Sequence, residues 1–231
     1  MAEQEHLNRL HDWMVSQKFH EVMPLPDEAA IRKLDFTVNN ESLANVDLQD
    51  AKGFHAFVFD GMIYGTGGKA GVGGYMEPRV LYQRSNHFGG EEPRSLHLGV
   101  DIWMEDYTPV FAPNDGIIHS LADNAGFGNY GPTIILEHES PAGKWYSLYG
   151  HLSLDSLKAE PQQIVRKGEK IAELGPYDEN GNWPPHLHFQ LMTDMMGKSG
   201  DFPGVAAPSE RAKFAAICPD PNLVLGIEKL R

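Results

Sequence analysis

The chain has 231 residues, 41% hydrophobic and 22% charged, which supplies enough apolar material for a buried core and excludes global disorder. Acidic residues outnumber basic ones 32 to 19, and the net charge of −13 disfavours nucleic acid and anionic membranes as partners. Cys218 is the only cysteine, so an intrachain disulfide is excluded, and no apolar stretch reaches the length of a membrane-spanning helix.

The first residues lack a basic segment followed by an apolar one, so no secretion signal is read and a cytoplasmic address is expected. Leu7, Leu10, Met14 and Val15 fall at helical spacing and predict an amphipathic helix from Glu3 to about Lys18. Asp27 is placed to cap a second short helix through Leu34. Residues 1–53 therefore read as a helical extension, ahead of a domain spanning 54–231. The run from Phe54 to Gly65 reads as two short strands around an Asp60-Gly61 turn. The glycine-rich stretch that follows is not a phosphate loop, because Lys69 is followed by Ala70 and Gly71 rather than by Ser or Thr opening a helix. It is expected to be a flexible loop or an edge-strand turn.

From His97 to Thr193 short apolar runs alternate with Pro, Gly, Asp and Asn, the pattern of a mainly β domain, and 24 Gly and 16 Pro supply its turns. Two of these runs read as hairpin arms around Lys167-Gly168. Short helices are predicted after Ser209 or Glu210, and again from Pro219 to Pro221.

The histidines stand out within this region. His186 and His188 lie two apart in an alternating strand, so both imidazoles share one face with Cα atoms roughly 6.5 Å apart. One of them can bind a metal while the other stands beside it. His97 and Asp101 would be roughly 13 Å apart in a straight strand, too far to share an ion. The chain must bend between them, and Gly99 is where bending costs least. Two His and one Asp make a nitrogen- and oxygen-rich set suited to Zn²⁺, with a fourth position left open. His151, near the end of another predicted strand, is the third element.

The motifs His-x-Gly-x-Asp at 97–101, Tyr-x-His-Leu at 149–152 and Pro-His-Leu-His-Phe at 185–189 resemble the lysostaphin-type zinc metallopeptidases, which cut peptidoglycan peptides. The resemblance covers about His97 to Met192. It implies zinc ligands His97, Asp101 and His188, and catalytic histidines His151 and His186. It also implies a mainly β core of narrow antiparallel sheets, related to barrel-sandwich hybrid domains. Segments such as GVGGYMEPRVLY and CPDPNLVLG are similar to a peptidase-like module of cytoplasmic fusion proteins, where it lies between kinase-like and aminotransferase-like domains.

The chemistry implied is zinc-assisted hydrolysis of a peptide or amide, a peptidoglycan fragment being one substrate. One of His151 and His186 would accept a proton and the other stabilise the oxyanion. Two alternatives stand beside a peptidoglycan endopeptidase: a cytoplasmic amidase or peptidase acting on a small soluble substrate, and a non-catalytic module that retains the fold. His119 and His138 read as structural, as do His6, His11, His20, His55 and His87. Tyr130 and Trp183 are candidate substrate contacts because each adjoins turn residues.

Overall fold

A computed structural model describes residues 2–231. Helix α1 (Ala2–Ser16) forms where the apolar spacing places it, and buries Leu10 and Met14. Trp13 of the helix and Phe19 just behind it pack onto Trp145, with ring centroids 6.3 and 6.0 Å away. Aromatic pairs of this kind contribute about 0.5–1.5 kcal/mol each beyond area burial, so the N-terminal segment is packed against the sheet and not loosely attached.

The helix expected after Asp27 is a single 3₁₀ turn, Glu28–Ala30, and the chain then extends as β1 (Ile31–Lys33). Ile31 is buried and pairs with Ala70 of β2 (Ala70–Gly73), so sheet pairing overrides a weak helical signal. The glycine-rich stretch is thus an inner strand where a flexible loop or an edge turn was expected. Its composition has a packing cause: a Cβ on Gly71 would fall 2.6 Å from Leu34 Cδ1.

Residues 54–65 also depart from expectation, being helical where two strands were predicted. Helix α2 (Ala51–Ala56) is capped by the Asp50 side chain, which accepts from the Lys52 amide, and it continues as a π-helical segment, Phe57–Ile63. The buried residues Phe54, Val58, Phe59 and Ile63 recur at helical spacing, so the 3.6-residue period governs and not the Asp-Gly turn signal.

The remaining strands follow in chain order: β3 (Leu96–His97), β4 (Val100–Trp103), β5 (Pro109–Phe111), β6 (Gly116–Asn124), β7 (Gly131–Ser140) and β8 (Gly143–Gly150). After them come β9 (Ile164–Val165), β10 (Lys170–Glu173), β11 (His186–Met192) and β12 (Val205–Ala206). One sheet has eight strands in the order β1-β2-β4-β11-β8-β7-β6-β9, with β1 and β2 parallel and the other neighbours antiparallel. Two-stranded sheets join β5 to β10 and β3 to β12. The fold is mainly β as expected, but its principal sheet is large and mixed. Lys167-Gly168 makes a turn, with Gly168 at φ +80°, yet its arms separate: β9 pairs with β6 and β10 with β5. The tail forms α3 (Arg211–Ala215) and α4 (Asn222–Leu225) at the predicted places. No helix among the described residues is long and apolar enough to cross a membrane.

Candidate metal centre and catalytic histidines

Strand register assembles the site. On β11, His188 lies opposite Asp101 of β4 on one side and Gly150 of β8 on the other, while His186 lies opposite Trp103. His151 follows Gly150 directly, so three neighbouring strands deliver four of the five residues. The fifth, His97, arrives because the chain leaves β3, bends at Leu98-Gly99 and enters the large sheet as β4. A Cβ on Gly99 would lie 2.7 Å from both His188 Nε2 and the Phe189 carbonyl, so only glycine fits this bend. The expected bend is therefore present, and His97 Nε2 lies 3.2 Å from Asp101 Oδ1.

Hydrogen bonds fix which nitrogen of each ring carries the proton. His97 Nδ1–H donates to the Gly74 carbonyl at 3.0 Å, leaving a lone pair on Nε2. The Gln190 amide donates to the Pro203 carbonyl, which turns Oε1 toward His188 to accept from Nε2–H at 2.9 Å. The lone pair of His188 is then on Nδ1, 2.9 Å from His97 Nε2 and 3.2 Å from Asp101 Oδ1. Two nitrogen lone pairs and a carboxylate oxygen converge in a buried place with no proton between them, and Asp101 Oδ1 has no hydrogen-bond donor. Such a set is repulsive unless a cation or a proton occupies its centre.

Burial and the Arg79 guanidinium push the His97 imidazole down to about 3, so a proton is disfavoured. Burial alone would raise the Asp101 carboxyl, but His97, Arg79 and His186 hold it well below the usual carboxylate range. A cation remains. A tetrahedral ion with bonds of roughly 2.0–2.1 Å separates its ligand atoms by roughly 3.3 Å, and the observed spacings of 2.9 to 3.2 Å need little adjustment to match. Among the described residues, His97, Asp101 and His188 form the one group of His, Cys, Asp and Glu side chains able to hold a metal in this way.

The other two histidines stand beside this group. His186 Nδ1–H donates to the Pro184 carbonyl at 2.8 Å, and its ring stacks on Trp103 at 4.0 Å, which leaves Nε2 without a hydrogen bond, 3.8 Å from Asp101 Oδ2. His151 Nδ1–H donates to the Asn180 carbonyl at 2.8 Å, again freeing Nε2, and the two rings lie 4.2 Å apart. His151 has φ +64°, a left-handed conformation that costs a non-glycine residue about 1 kcal/mol or more. Backbone bonds to Tyr130 and Gly175 hold it there. Burial lowers the His186 imidazole to about 4 and that of His151 well below its ordinary value, so both are neutral bases at neutral pH.

Tyr130 lies 3.2 Å from His188 Nε2, and Trp183 adjoins both His151 and His186 with centroids 6.1 Å away. The turn-residue signal had singled out both. The supporting residues were missed. Arg79 is buried, donates to Asp101 Oδ2 and pairs with Glu77 at 2.7 Å, but it has no periodic relation to the motifs. Asn180 is fully buried and ties Gly175 to Trp183 through its side chain, behind an ordinary-looking turn. Gln190 could have been found, since the alternation that pairs His186 with His188 puts residue 190 on the same face. His138, expected to be structural, is so: it stacks on Trp145, donates to the Asp115 carbonyl and accepts from Ser147.

Residues 95–200 match the model of Peptidase family M23. It is 37% identical over 95 residues to an uncharacterized metalloprotease of Haemophilus influenzae, covering 41% of this chain and 18% of that protein. It is 31% identical over 156 residues to the DD-carboxypeptidase/endopeptidase Mpg of Neisseria meningitidis, covering 62% of this chain and 33% of that protein. A third relative, the glycyl-glycine endopeptidase ALE-1 of Staphylococcus capitis, is 36% identical over 101 residues, which is 42% of this chain and 25% of that protein. The chain thus spans a third or less of the length of these relatives.

Proposed function

We propose that the protein is a zinc-dependent hydrolase of peptide or amide bonds, with His97, Asp101 and His188 as metal ligands and His151 and His186 as catalytic residues. The observation that carries this reading is the convergence of three proton-free electron pairs beside two neutral imidazoles. When bound there, Zn²⁺ supplies Lewis-acid polarisation of a carbonyl and acidifies water toward about pH 7.

The protein residues do the rest. Each catalytic imidazole is anchored through Nδ1–H to a backbone carbonyl and presents a bare Nε2 to the pocket, which is the form that accepts a proton from water. The proton, once held at Nε2, gives that ring a donor for the oxyanion or the leaving nitrogen, and the facing imidazole shares the charge. Arg79 occupies Asp101 Oδ2 and so leaves Oδ1 as the oxygen turned to His97 and His188. Trp103 and Trp183 limit water around the pair. The same reading takes the β core as related to barrel-sandwich hybrids, supported by the short two-stranded sheets that accompany the large one.

The relatives named a DD-carboxypeptidase/endopeptidase and a glycyl-glycine endopeptidase support peptide bonds as the target, and the Peptidoglycan DD-endopeptidase ShyB of Vibrio cholerae, 30% identical over 96 residues, supports peptidoglycan peptides as substrate. A second reading, a cytoplasmic amidase acting on small soluble substrates, is favoured by the walled pocket described below. Zinc-loaded protein incubated with cross-linked sacculi, soluble muropeptides and simple acyl amides tests both. Release from sacculi supports the first, and turnover of soluble amides alone supports the second. Inertness toward the whole panel would leave the non-catalytic module as the answer.

A further inference from the structure

The metal-ligand cluster and the catalytic pair open into a pocket with a cavity volume of about 170 Å³, partly open to solvent. Part of its wall lies outside the segment that matches the peptidase family: Arg79, Leu81, Tyr82, His87, Phe88 and Arg94 all precede residue 95. This wall is built in. Leu81, Tyr82 and Phe88 are buried in a cluster with Trp103 and Trp183, which fixes them against the catalytic side. That volume is below the roughly 300–1,000 Å³ of drug-sized ligand sites, so the walled part suits a short substrate group better than a polymer.

The charges of the lining run against the character of the chain. Overall, acids exceed bases by 32 to 19. In the pocket, Arg79 and Asp101 neutralise each other, leaving Arg94 and Lys198 against a single carboxylate, Asp201. Among the described residues, no carboxylate lies within ion-pair distance of Arg94 or Lys198. Two acids that share the vicinity of Arg94 are engaged elsewhere: Glu92 accepts from Ser209, and Glu210 pairs with Lys213. Arg94 is also held in place. Its backbone amide donates to the Phe88 carbonyl at 2.9 Å, one guanidinium nitrogen donates to the His87 carbonyl, and the rest lies over the Phe88 ring at 5.5 Å. A half-buried, pre-positioned guanidinium retains the donors for a two-oxygen anion, and a lysine on the same rim adds a mobile second charge.

We infer that the site selects amide substrates carrying a compact anionic group, a carboxylate or a phosphate, which Arg94 grips and Lys198 assists while the scissile amide lies against His151 and His186. This substrate class rests on the hydrolase reading, but the anion grip itself does not. The test uses three matched probes: N-acetyl-dialanine with a free carboxylate, its neutral C-terminal amide, and N-acetyl-alanyl-aminoethyl phosphate.

Binding to the metal-free protein is followed through tryptophan fluorescence, since Trp103 and Trp183 line the pocket. Turnover by the zinc-loaded protein is followed separately as kcat/KM. The expected result is roughly 10–100-fold stronger binding of at least one anionic probe than of the neutral amide, as a charged hydrogen-bonded contact provides. Whichever anion leads identifies the source. Arg94→Ala should bring that ratio close to one, Arg94→Lys should restore part of it, and the exposed Lys198→Ala should lower it by less. Equal binding of charged and neutral probes overturns the inference even if all are hydrolysed. An Arg94-dependent preference without turnover upholds the grip and refutes the hydrolase.

Discussion

Gly99→Ala is the most local test of the metal centre. The added methyl carbon would stand 2.7 Å from His188 Nε2, 2.8 Å from its Cε1 and 2.7 Å from the Phe189 carbonyl oxygen. Ordinary contact begins near 3.4 Å, so the ring and the β11 backbone must together yield about 0.7 Å. The backbone is pinned on both sides by β4 and β8, so the side chain gives way first. His188 Nε2–H is the group that donates to Gln190, so its displacement loosens both the tautomer and the aim of Nδ1.

Overpacking of this size costs about 1–3 kcal/mol of stability. Disturbing a ligand's orienting hydrogen bond costs roughly 10–100-fold in metal affinity. The assay is zinc competition against a chromogenic chelator, with urea unfolding of the metal-free protein run in parallel. The expected outcome is a fall in zinc affinity of at least roughly tenfold, in a variant whose fold persists. Zinc affinity within about threefold of the parent would refute the assignment of His188 Nδ1 as a ligand atom, since that atom cannot stay in place while its ring moves.

Substituting His151→Ala or His186→Ala should lower kcat by roughly 10²–10⁴ while zinc content stays near about one per chain, and loss of zinc in either variant would make that histidine a ligand. Arg79→Met should destabilise the metal-free protein by about 3–5 kcal/mol in urea, because it strands the Asp101 carboxylate in the interior; a change under about 1 kcal/mol would mean the pair is not buried as described. His138 gives the pH test. Burial depresses its pKa from 6.5 to about 4, so the unfolded chain takes up the proton first and stability falls as pH drops through that window, by about 3 kcal/mol in total. His138→Gln should flatten the slope of stability against pH between about 6.5 and 4, and an unchanged slope would count against a neutral buried imidazole.

The parts of the site governed by local rules were legible in the sequence. Period-two geometry placed His186 and His188 on one face, and the length of an extended chain forced a bend at Gly99. Arg79 was not legible, because its value depends on β2 and β4 lying side by side, with Gly73 opposite Asp101 and close to the guanidinium. Asn180 escaped for a different reason: its side-chain partners Gly175 and Trp183 lie within five residues of it, but nothing in the turn's composition marks the closed loop that buries it. The misreading of residues 54–65 came from ranking the Asp-Gly turn above the recurrence of apolar residues at helical spacing, although both signals were present.

The register of β4, β11 and β8 bears on how the protein comes into being. His97 and His188 are 91 residues apart, and they meet only when β11 has found β4. Closing a loop of that length costs about 4 kcal/mol in chain entropy before any contact repays it. A metal ion meeting the unfolded chain finds ligands scattered along a flexible thread, so it has little power to nucleate folding. Zinc therefore joins late, as the lock on strands already paired, and its uptake measures how many molecules have joined β4 to β11 in register.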